Sequence, residues 1–345
     1  MDDEQRLLIL GADDVAALGA GHEQEVLDAV REAYLAHRAG HSSLPHSTFL
    51  RFPGDDLNRI IALPAFLGDG FSVAGMKWIA SFPGNVAAGT PRASAVLVLN
   101  SCRTGRPFAV LESSLVSAWR TAASAALAAA ELTAGRAPAS AGLVGTGLIN
   151  REVVHFLRTA VPSLGRFACF DLDRARAERF AAGLAADFGV EVTAAASVEE
   201  AMGHSLVSFA TTAVQPHVAS LDACPPGATV LHVSLRDLTA EAILAADNVV
   251  DDPDHVCRAS TSVHLAEQVT GSRDFIRCTL ADVLAGAAAA RQDDERVTVF
   301  SPFGLGVLDL AVGKRILDRA VAEGRGTTIE SFLPAAGEPG KGATP

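Results

Sequence analysis

The most constraining feature of the chain is an apolar run that breaks into a glycine turn, Ala139-Ser-Ala-Gly-Leu-Val-Gly-Thr-Gly-Leu-Ile-Asn150. A second apolar run, Arg166-Phe-Ala-Cys-Phe-Asp171, ends on a carboxylate 24 residues beyond Gly147. Between them, residues 151–159 have the pattern of an amphipathic helix. Together these segments form the βαβ pattern that binds dinucleotides. Asn150 stands where a third small residue is usual, so we expect the helix to lie slightly off the sheet.

Each part of this pattern has a physical role in a dinucleotide site. Gly145 permits the tight turn, and Gly147 lets the backbone approach the pyrophosphate, which the helix amino terminus binds through its N–H groups. Asp171 is placed to accept the hydroxyls of the adenine ribose, and its charge repels a 2′-phosphate, which favours NAD over NADP. Arg174 and Arg176 could receive such a phosphate, or could be solvated charges on the next helix.

Composition narrows the classes of function. At 345 residues and 49% hydrophobic content, the chain can bury two ordinary cores. Its net charge of −12 argues against nucleic acid or an anionic membrane as the main partner. No apolar run approaches the length of a membrane span, and Met1-Asp-Asp-Glu lacks the basic start of a signal peptide, so we expect a cytoplasmic protein.

The cysteines and histidines do not suggest a metal site. The ten histidines show no ligand spacing, and the five cysteines are scattered, odd in number and never in CxxC spacing. Reduced thiols are therefore expected at all five positions: Cys102, Cys169, Cys224, Cys257 and Cys278.

The second half of the chain alternates predicted strands with predicted helices. The first strand contains Leu143, and the others are residues 167–171, 190–193, 206–211, 229–234 and 248–251. Predicted helices span residues 174–188, 198–202 and 240–245. Strands that alternate with helices imply an α/β fold with a parallel, doubly wound Rossmann sheet.

The first half predicts a different, antiparallel-rich α+β lobe. A helix at residues 23–37 precedes strand-like runs at residues 59–63, 71–80, 93–99 and 107–111. An Ala-rich helix from 113 to about 135 joins this lobe to the sheet, and residues 296–300 with a helix at 308–323 are expected to return to it. We therefore predict a substrate-binding domain from residues 1–130 and 296–333, an NAD-binding domain from residues 136–295, and a flexible tail at 334–345.

The first lobe carries a local excess of cations. Between Arg51 and Arg120 the chain has seven basic residues against four acids, although the whole chain is acidic. Arg103 and Arg106 flank a turn and are expected to be solvated. The remaining five suit an anionic substrate: Arg51, Arg59, Lys77, Arg92 and Arg120.

Lys77 and Arg120 differ from the other cations in their surroundings. Lys77 interrupts an apolar strand, where an ammonium is costly unless it has a partner or a task in acid–base chemistry, or unless it reaches water at a strand edge. Arg120 is the only charged residue between Glu112 and Glu131, on a helix of Ala, Ser, Leu and Trp. Its planar fork pairs well with a carboxylate.

Two further candidates lie at the carboxyl ends of predicted strands, at the edge where open α/β sheets bind ligands, and a third is a glycine turn late in the chain. Asp237, in His232-Val-Ser-Leu-Arg-Asp237, could activate water or relay a proton, or could cap the helix that starts near Thr239. Thr211 and the turn at Gly304 and Gly306 could line the nicotinamide side, or could be plain structural turns.

The chain resembles the ornithine cyclodeaminase/μ-crystallin family over nearly its whole length. The resemblance is carried, in family order, by Met76–Asn85, Gly105–Glu112, Trp119–Ala123, Gly145-Thr-Gly147 and Phe300–Gly306 with Asp309. It implies a homodimer formed through the first lobe and an active site between the lobes. Lys77 and Arg120 would hold the substrate amine and carboxylate. By position, the dinucleotide would contact Arg92, Thr121, Leu148, Ile149, Asp171 and Thr211.

Within the family, the chain is most similar to the branch of siderophore and antibiotic pathways that supplies L-2,3-diaminopropionate. Its enzymes oxidise N-(2-amino-2-carboxyethyl)-L-glutamate with NAD and release diaminopropionate and 2-oxoglutarate. Segments such as Asn58–Pro64 and Val249-Val-Asp-Asp252 carry this similarity. That substrate has three carboxylates, which Arg51, Arg59 and Arg92 could help to bind.

The chain departs from the family pattern at two places. Pro45-His46-Ser47 replaces a Pro-x-Arg motif, and Ser234-Leu-Arg-Asp237 replaces the Gly-Asp of the cyclodeaminases. The second departure weakens a cyclodeaminase interpretation. Alternatives are cyclodeamination, amino-acid dehydrogenation, ketimine reduction, and a dinucleotide-dependent binding protein without turnover.

Overall fold

The computed structural model describes residues 5–133 and 135–334. Up to residue 132 the elements are β1 (Leu7–Leu10), α1 (Ala12–Gly19), α2 (Glu23–Arg38), β2 (Ser42–Ser43), β3 (Thr48–Phe52), β4 (Asp55–Leu67), β5 (Val73–Ser81), a 3-10 helix (Pro83–Ala88), β6 (Ala93–Ser101), β7 (Pro107–Glu112) and α3 (Ser114–Leu132). The predicted tail, 334–345, lies outside the described residues apart from Pro334.

The remaining elements alternate more regularly. They are β8 (Ser140–Val144), α4 (Leu148–Ala160), β9 (Arg166–Phe170), α5 (Arg174–Phe188), β10 (Glu191–Ala194), α6 (Val198–Met202), β11 (Leu206–Phe209), β12 (Thr229–His232), α7 (Ala240–Leu244), β13 (Asp247–Val250), α8 (Pro253–Val256), α9 (Ser262–Thr270), β14 (Ile276–Thr279), α10 (Leu280–Leu284), β15 (Thr298–Ser301), α11 (Gly306–Glu323) and β16 (Thr327–Ile329).

The described residues divide into two compact units. Unit 1 comprises residues 5–22, 41–116 and 309–334, and unit 2 comprises residues 23–40 and 117–308 without Ala134. No helix in the described ranges is long and apolar enough to cross a membrane.

Unit 1 is built on one sheet of eight strands. Their order is β16-β1-β7-β6-β5-β4-β2, with β3 paired to β4, and every pair is antiparallel except β1 with β7. Along β6, Leu97 and Leu99 are buried whereas Val96 is exposed, as expected for a sheet covered on one face. Helix α11 packs closely on the covered face, because a Cβ on its Gly313 would overlap Leu97.

Unit 2 is a parallel sheet with the strand order β10-β9-β8-β11-β12-β15-β13-β14. Strands β11, β12, β13 and β15 are buried along their whole length, as expected for strands covered on both faces. A Cβ on Gly142 of β8 would overlap the Ala201 carbonyl, so the approach of α6 to this strand requires glycine. The predicted doubly wound α/β fold is confirmed.

Two segments differ from the predicted division. Residues 296–300 are expected in the first lobe, but β15 pairs in parallel with β12 and β13 inside the second sheet. Helix α2 is also expected in the first lobe, yet it belongs to unit 2, where Arg31 donates to Glu131 at 2.5 Å. The sequence patterns of these two segments gave the wrong lobe, because a single apolar strand and a single amphipathic helix do not reveal which sheet they join. The other domain boundaries stay a prediction.

Candidate active site

Strand order fixes where a ligand can bind in unit 2. The chain runs from β8 outward through β9 to β10 and then returns to β11 on the other side of β8, which makes the carboxyl ends of β8 and β11 the switch point of the sheet. Loops that follow different strands emerge at this same edge. They carry five of the predicted residues: Gly145, Asp171, Thr211, Asp237 and Gly304.

The two glycines of the turn after β8 have different constraints. Gly145 has φ +93°, and a Cβ there would lie 2.5 Å from the Ala210 carbonyl oxygen. Gly147 precedes α4 with φ −99°, and a Cβ there would meet nothing within 4 Å. Packing therefore requires the first glycine, whereas the second leaves open space at the amino terminus of α4. Leu148 is exposed and Ile149 half-buried in the first turn of that helix.

Asn150 ties this helix to the sheet. Its Nδ2 donates to the carbonyls of Val144 at 3.0 Å and Gly145 at 2.7 Å, and its Oδ1 accepts the Ser208 hydroxyl at 2.7 Å. The buried amide thus satisfies polar groups of β8 and β11 in the place of the usual small residue.

Asp171 is held beside the glycine turn. Its Oδ2 accepts the Thr146 hydroxyl at 2.5 Å and the Thr146 N–H at 3.2 Å, and Arg176 Nε lies 3.8 Å away. Burial acts to raise the pKa of Asp171, but the hydrogen bonds from Thr146 and Asp173 lower it below its ordinary value. Asp171 is therefore a carboxylate at neutral pH. Arg174 instead donates to Glu178 on the surface of α5 at 2.9 Å.

Asp237 lies beneath the same edge rather than on it. It is fully buried, and its carboxylate accepts the hydroxyls of Thr211 and Ser234, which are themselves half-buried. His232 Nε2 lies 3.4 Å from it, and His232 Nδ1 lies 3.2 Å from the Ser301 hydroxyl.

The protonation of Asp237 follows from these contacts. Burial acts to raise its pKa, and the contacts with His232, Ser234 and Thr211 lower it below the ordinary value. The alternative that Asp237 caps the next helix is wrong, because Thr239 caps α7 by accepting the Ala242 N–H.

Arg120 lies on α3 against the turn that follows β15. Its Nη2 is 3.4 Å from the Ser117 hydroxyl. Gly304 has φ +91°, and a Cβ there would overlap Arg120 Nη1, so only glycine allows the guanidinium to lie this close. One helical turn separates Arg120 from Ser117, whose carbonyl accepts the Thr121 hydroxyl at 2.7 Å.

In unit 1, Lys77 is neutralised by a buried carboxylate. Lys77 Nζ donates to both carboxylate oxygens of Asp309 at 2.8 Å, and the two side chains are 1% and 0% exposed. The alternative that Lys77 reaches water at a strand edge is wrong, because β5 pairs with β4 and β6 along its whole length.

Three arginines lie on the same face of this sheet as Lys77. Arg51 is directly opposite Arg59 in the register of β3 and β4, and Arg59 is directly opposite Ser81 of β5. Ser81 shares its face with Lys77 because side chains four residues apart in a strand point the same way. Arg92 Nη1 donates to the Ser81 hydroxyl at 3.2 Å. We call Arg51, Arg59 and Arg92 the arginine row.

Sequence reasoning missed the roles of Asp309, Asp251 and Asn150. Asp309 was part of a recognised motif, but nothing in the sequence indicated that it pairs with Lys77, 232 residues away. The available signal was an acid among the apolar residues of the first two turns of α11, Gly306–Val312, since a buried carboxylate requires a cation or several N–H donors. Asp251 gave no such signal, because β13 itself begins with Asp247 and Asn248 and Asp252 follows Asp251 directly.

Comparison with known proteins identifies relatives along almost the whole chain. The model of the ornithine cyclodeaminase/mu-crystallin family matches residues 12–324. N-((2S)-2-amino-2-carboxyethyl)-L-glutamate dehydrogenase of Staphylococcus aureus is 27% identical over 335 residues, which cover 95% of this chain and 99% of that protein.

Two solved structures resemble the fold closely. One is Thermococcus litoralis Δ1-pyrroline-2-carboxylate reductase in complex with NADH and L-proline, with a TM-score of 0.86, 25% identity and coverage of 93% of this chain and 99% of that one. The other is an archaeal alanine dehydrogenase dimer with bound NAD, with a TM-score of 0.83, 26% identity and coverage of 94% and 99%. These matches confirm the resemblance predicted from the motifs. The chain belongs to the ornithine cyclodeaminase/mu-crystallin family.

Proposed function

We propose that this NAD-dependent oxidoreductase, which acts on a CH–NH bond, has N-(2-amino-2-carboxyethyl)-L-glutamate as its substrate. The products would be L-2,3-diaminopropionate, 2-oxoglutarate, NADH and a proton, with one water consumed. The relatives named above, which are dehydrogenases and a reductase of amino acids or imines, support the class of reaction.

The arginine row is the observation that carries the choice of substrate. Arg51 and Arg59 are directly opposite each other in register, so their side chains start from neighbouring positions on one face of the sheet. Two neighbouring guanidinium groups suit an anionic ligand with several carboxylates. The proposed conjugate has three carboxylates, which Arg120, Arg51 and Arg59 could bind, whereas alanine and proline have one each.

The residues at the edge of unit 2 fit NAD. Gly147 leaves room for a phosphate at the amino terminus of α4, whose N–H groups are oriented to bind it. The ionised Asp171 would accept ribose hydroxyls and repel a 2′-phosphate. In the proposed site Gly145, Leu148, Ile149, Thr211 and Gly304 line the dinucleotide, together with Arg92 and Thr121. NAD, when bound, accepts the hydride that leaves the glutamyl α-carbon.

Arg120 and Lys77 would bind and activate the substrate. Arg120 would hold the α-carboxylate, since a guanidinium held in one place can bind both oxygens. Lys77 would relay the proton that the substrate nitrogen loses as hydride departs. Its ammonium would give a proton to the Asp309 carboxylate, 2.8 Å away, and would take up the proton from the substrate nitrogen.

Asp237 would assist water in the second half of the reaction. Water adds to the carbon of the C=N bond, and the C–N bond then breaks to give the ketone and the free amine. Because Asp237 is buried, its route to this water runs through the hydroxyls of Thr211 and Ser234. The hydroxyls would pass a proton to the carboxylate, which its low pKa keeps ionised beforehand.

The test is to incubate the purified protein with NAD and the conjugate and to quantify NADH, diaminopropionate and 2-oxoglutarate. Equal amounts of all three are expected. A second candidate, ketimine reduction, is favoured by the fold match to the pyrroline carboxylate reductase. Consumption of NADH with Δ1-pyrroline-2-carboxylate, and no NADH formation with the conjugate, would support it instead.

We further propose a homodimer formed through the outer face of the sheet in unit 1. This face presents Trp78 and Val96, which are adjacent in register and 37% and 42% exposed. Such paired apolar side chains on a sheet are typical of an interface. Trp78→Glu should convert the dimer to a monomer in light scattering, and a monomeric wild-type protein would contradict the proposal. The described cysteines are all free, which fits the proposed location in the cytoplasm.

A further inference from the structure

Asp251 is a buried carboxylate that accepts hydrogen bonds from a turn much further along the chain. It follows β13 and is 1% exposed. Its oxygens accept the N–H groups of Gly304 at 2.7 Å, Phe303 at 2.9 Å and Asp252 at 2.8 Å. Burial raises the pKa of Asp251 above its ordinary value, against the opposing effect of the bonds from Gly304 and Phe303. A group buried at such a cost is expected to have a task.

The turn that Asp251 holds is the one that Arg120 contacts. Asp251 binds the N–H of Gly304, and the guanidinium of Arg120 lies against the Cα of the same glycine. A shift of this turn would therefore change the surface on which the guanidinium rests.

Helix α2 contacts the corner of unit 2 that contains Ser124, Arg120, Asp251 and Asp252. Tyr34, fully buried, bonds to the Ser124 hydroxyl at 2.7 Å, and its phenol is close enough to Asp251 and Arg120 for both charges to act on its pKa, which burial raises. One turn later, His37 Nε2 lies 3.0 Å from the carboxylate of Asp252. These contacts restrain the corner, so we expect the turn at Phe303 and Gly304 to move little while its bonds to Asp251 are intact.

We infer that Asp251 is a positioning residue for Arg120, acting through the turn at Phe303 and Gly304. The inference rests on the proposed function, in which Arg120 binds the substrate carboxylate. Asp251 itself touches neither substrate nor cofactor in this arrangement. Its carboxylate fixes the turn, and the turn fixes the direction in which the guanidinium points.

Asp251→Asn tests this with kinetics. The asparagine amide keeps one acceptor oxygen but places its NH₂ group, a donor, against a backbone N–H. One hydrogen bond to the turn at Phe303 and Gly304 should therefore be lost, and the turn should shift. We expect KM for the conjugate to rise about tenfold, with kcat within about twofold, because a misplaced guanidinium weakens carboxylate binding. In an Arg120→Ala background the same substitution should leave KM unchanged, since the group being positioned is absent. Equal effects in both backgrounds would overturn the inference.

Asp252→Asn is the matched control. It changes the neighbouring carboxylate in the same way and removes the contacts with His37 and His255, but Asp252 makes no described bond to the turn at 303–304. It should lower thermal stability and leave KM for the conjugate unchanged. A rise in KM equal to that of Asp251→Asn would show that any damage to the corner has this effect, and would overturn the inference.

A readout independent of turnover separates this inference from the proposed function. We would follow the modification of Arg120 by phenylglyoxal, peptide by peptide, by mass spectrometry. Asp251→Asn should speed the labelling of Arg120 several-fold, and Asp252→Asn should not. Faster labelling with no turnover of the conjugate by the wild type would refute the substrate and keep the positioning role. Unchanged labelling in an active enzyme would refute the positioning role alone.

Discussion

The two sheets of this protein carry their functional side chains in different ways. In unit 2 the candidate residues follow the carboxyl ends of parallel strands, so the order of the strands alone brings Gly145, Asp171 and Thr211 to one edge. In unit 1 the candidates lie within strands, and the register of β3, β4 and β5 decides which of them share a face. A parallel sheet thus places a site by topology, whereas an antiparallel sheet places it by register and by what covers its face.

The difference extends to how charge is buried. Asp171 and Asp237 are stabilised by hydroxyls and N–H groups from neighbouring loops of the same sheet. Lys77 is instead stabilised by one carboxylate from a distant helix. Substitutions should therefore have graded effects in unit 2 and a severe effect at the Lys77–Asp309 pair.

Removing one partner of that pair should have the largest effect. Lys77→Ala leaves Asp309 buried without this cation, which costs roughly 3–5 kcal/mol for a pair of this kind. We expect a matching loss in the free energy of unfolding, measured in urea, together with loss of NADH formation. The double variant Lys77→Met, Asp309→Leu is the control, and it should regain most of the stability but no activity. Full activity in that double variant would remove Lys77 from the proposed mechanism.

The glycine turn should show a smaller effect that differs between its two glycines. Gly145→Ala combines a left-handed φ with a contact of 2.5 Å to the Ala210 carbonyl, so we expect a loss of about 1–3 kcal/mol in stability. Gly147→Ala, in open space at φ −99°, should fold as well as the wild type but bind NAD more weakly. Thermal unfolding with and without NAD separates these outcomes. Equal melting temperatures of the two variants would contradict the geometry of the turn.

Asp171 should set the choice between NAD and NADP. Asp171→Ser removes the charge that repels a 2′-phosphate and leaves Arg176 nearby. We expect the Kd for NADP to fall about tenfold and that for NAD to rise, as titrations would show. In the control, Arg176→Ala added to Asp171→Ser should remove the gain in NADP affinity. An unchanged ratio of the two affinities would place the adenine ribose elsewhere.

The smallest expected effect is a pH dependence at Asp252. Burial acts to raise its pKa, but contacts with His255 and His37 hold it well below 3.8, so its stabilisation is present above that value and is lost as the pH falls further. The pKa of His255 is raised above 6.5, mainly by Asp252 against the effect of burial, so its stabilisation is present below 6.5 and is lost as the pH rises through the raised value.

Urea midpoints between about pH 3 and pH 9 would test both effects. Asp252→Asn should flatten the stability curve at its acidic and basic ends, because it removes the carboxylate on which both shifts depend. A stability curve for the variant that runs parallel to that of the wild type would contradict the attribution of both pKa shifts to the contacts of Asp252.

The sequence predicted unit 2 more fully than unit 1, because a parallel sheet places its site by strand order whereas an antiparallel sheet places it by register. The βαβ pattern identified Gly145, Gly147 and Asp171, because their places follow from local order along the chain. The register that aligns Arg51 with Arg59 could not be predicted, since it depends on turn geometry and on pairing between strands. The role of Asp251 was equally hidden, because its turn lies 52–53 residues further along. Long-range partners leave no periodic signal in a sequence.

The site of oxidation is the central claim, and one isotope experiment tests it most directly. The protein would be given NAD and N-(2-amino-2-carboxyethyl)-L-glutamate that carries deuterium at the glutamyl α-carbon. We predict singly deuterated NADH, formed in equal amount with 2-oxoglutarate and unlabelled diaminopropionate. Unlabelled NADH, or no NADH while ornithine or a cyclic imine is turned over, would contradict the proposed function.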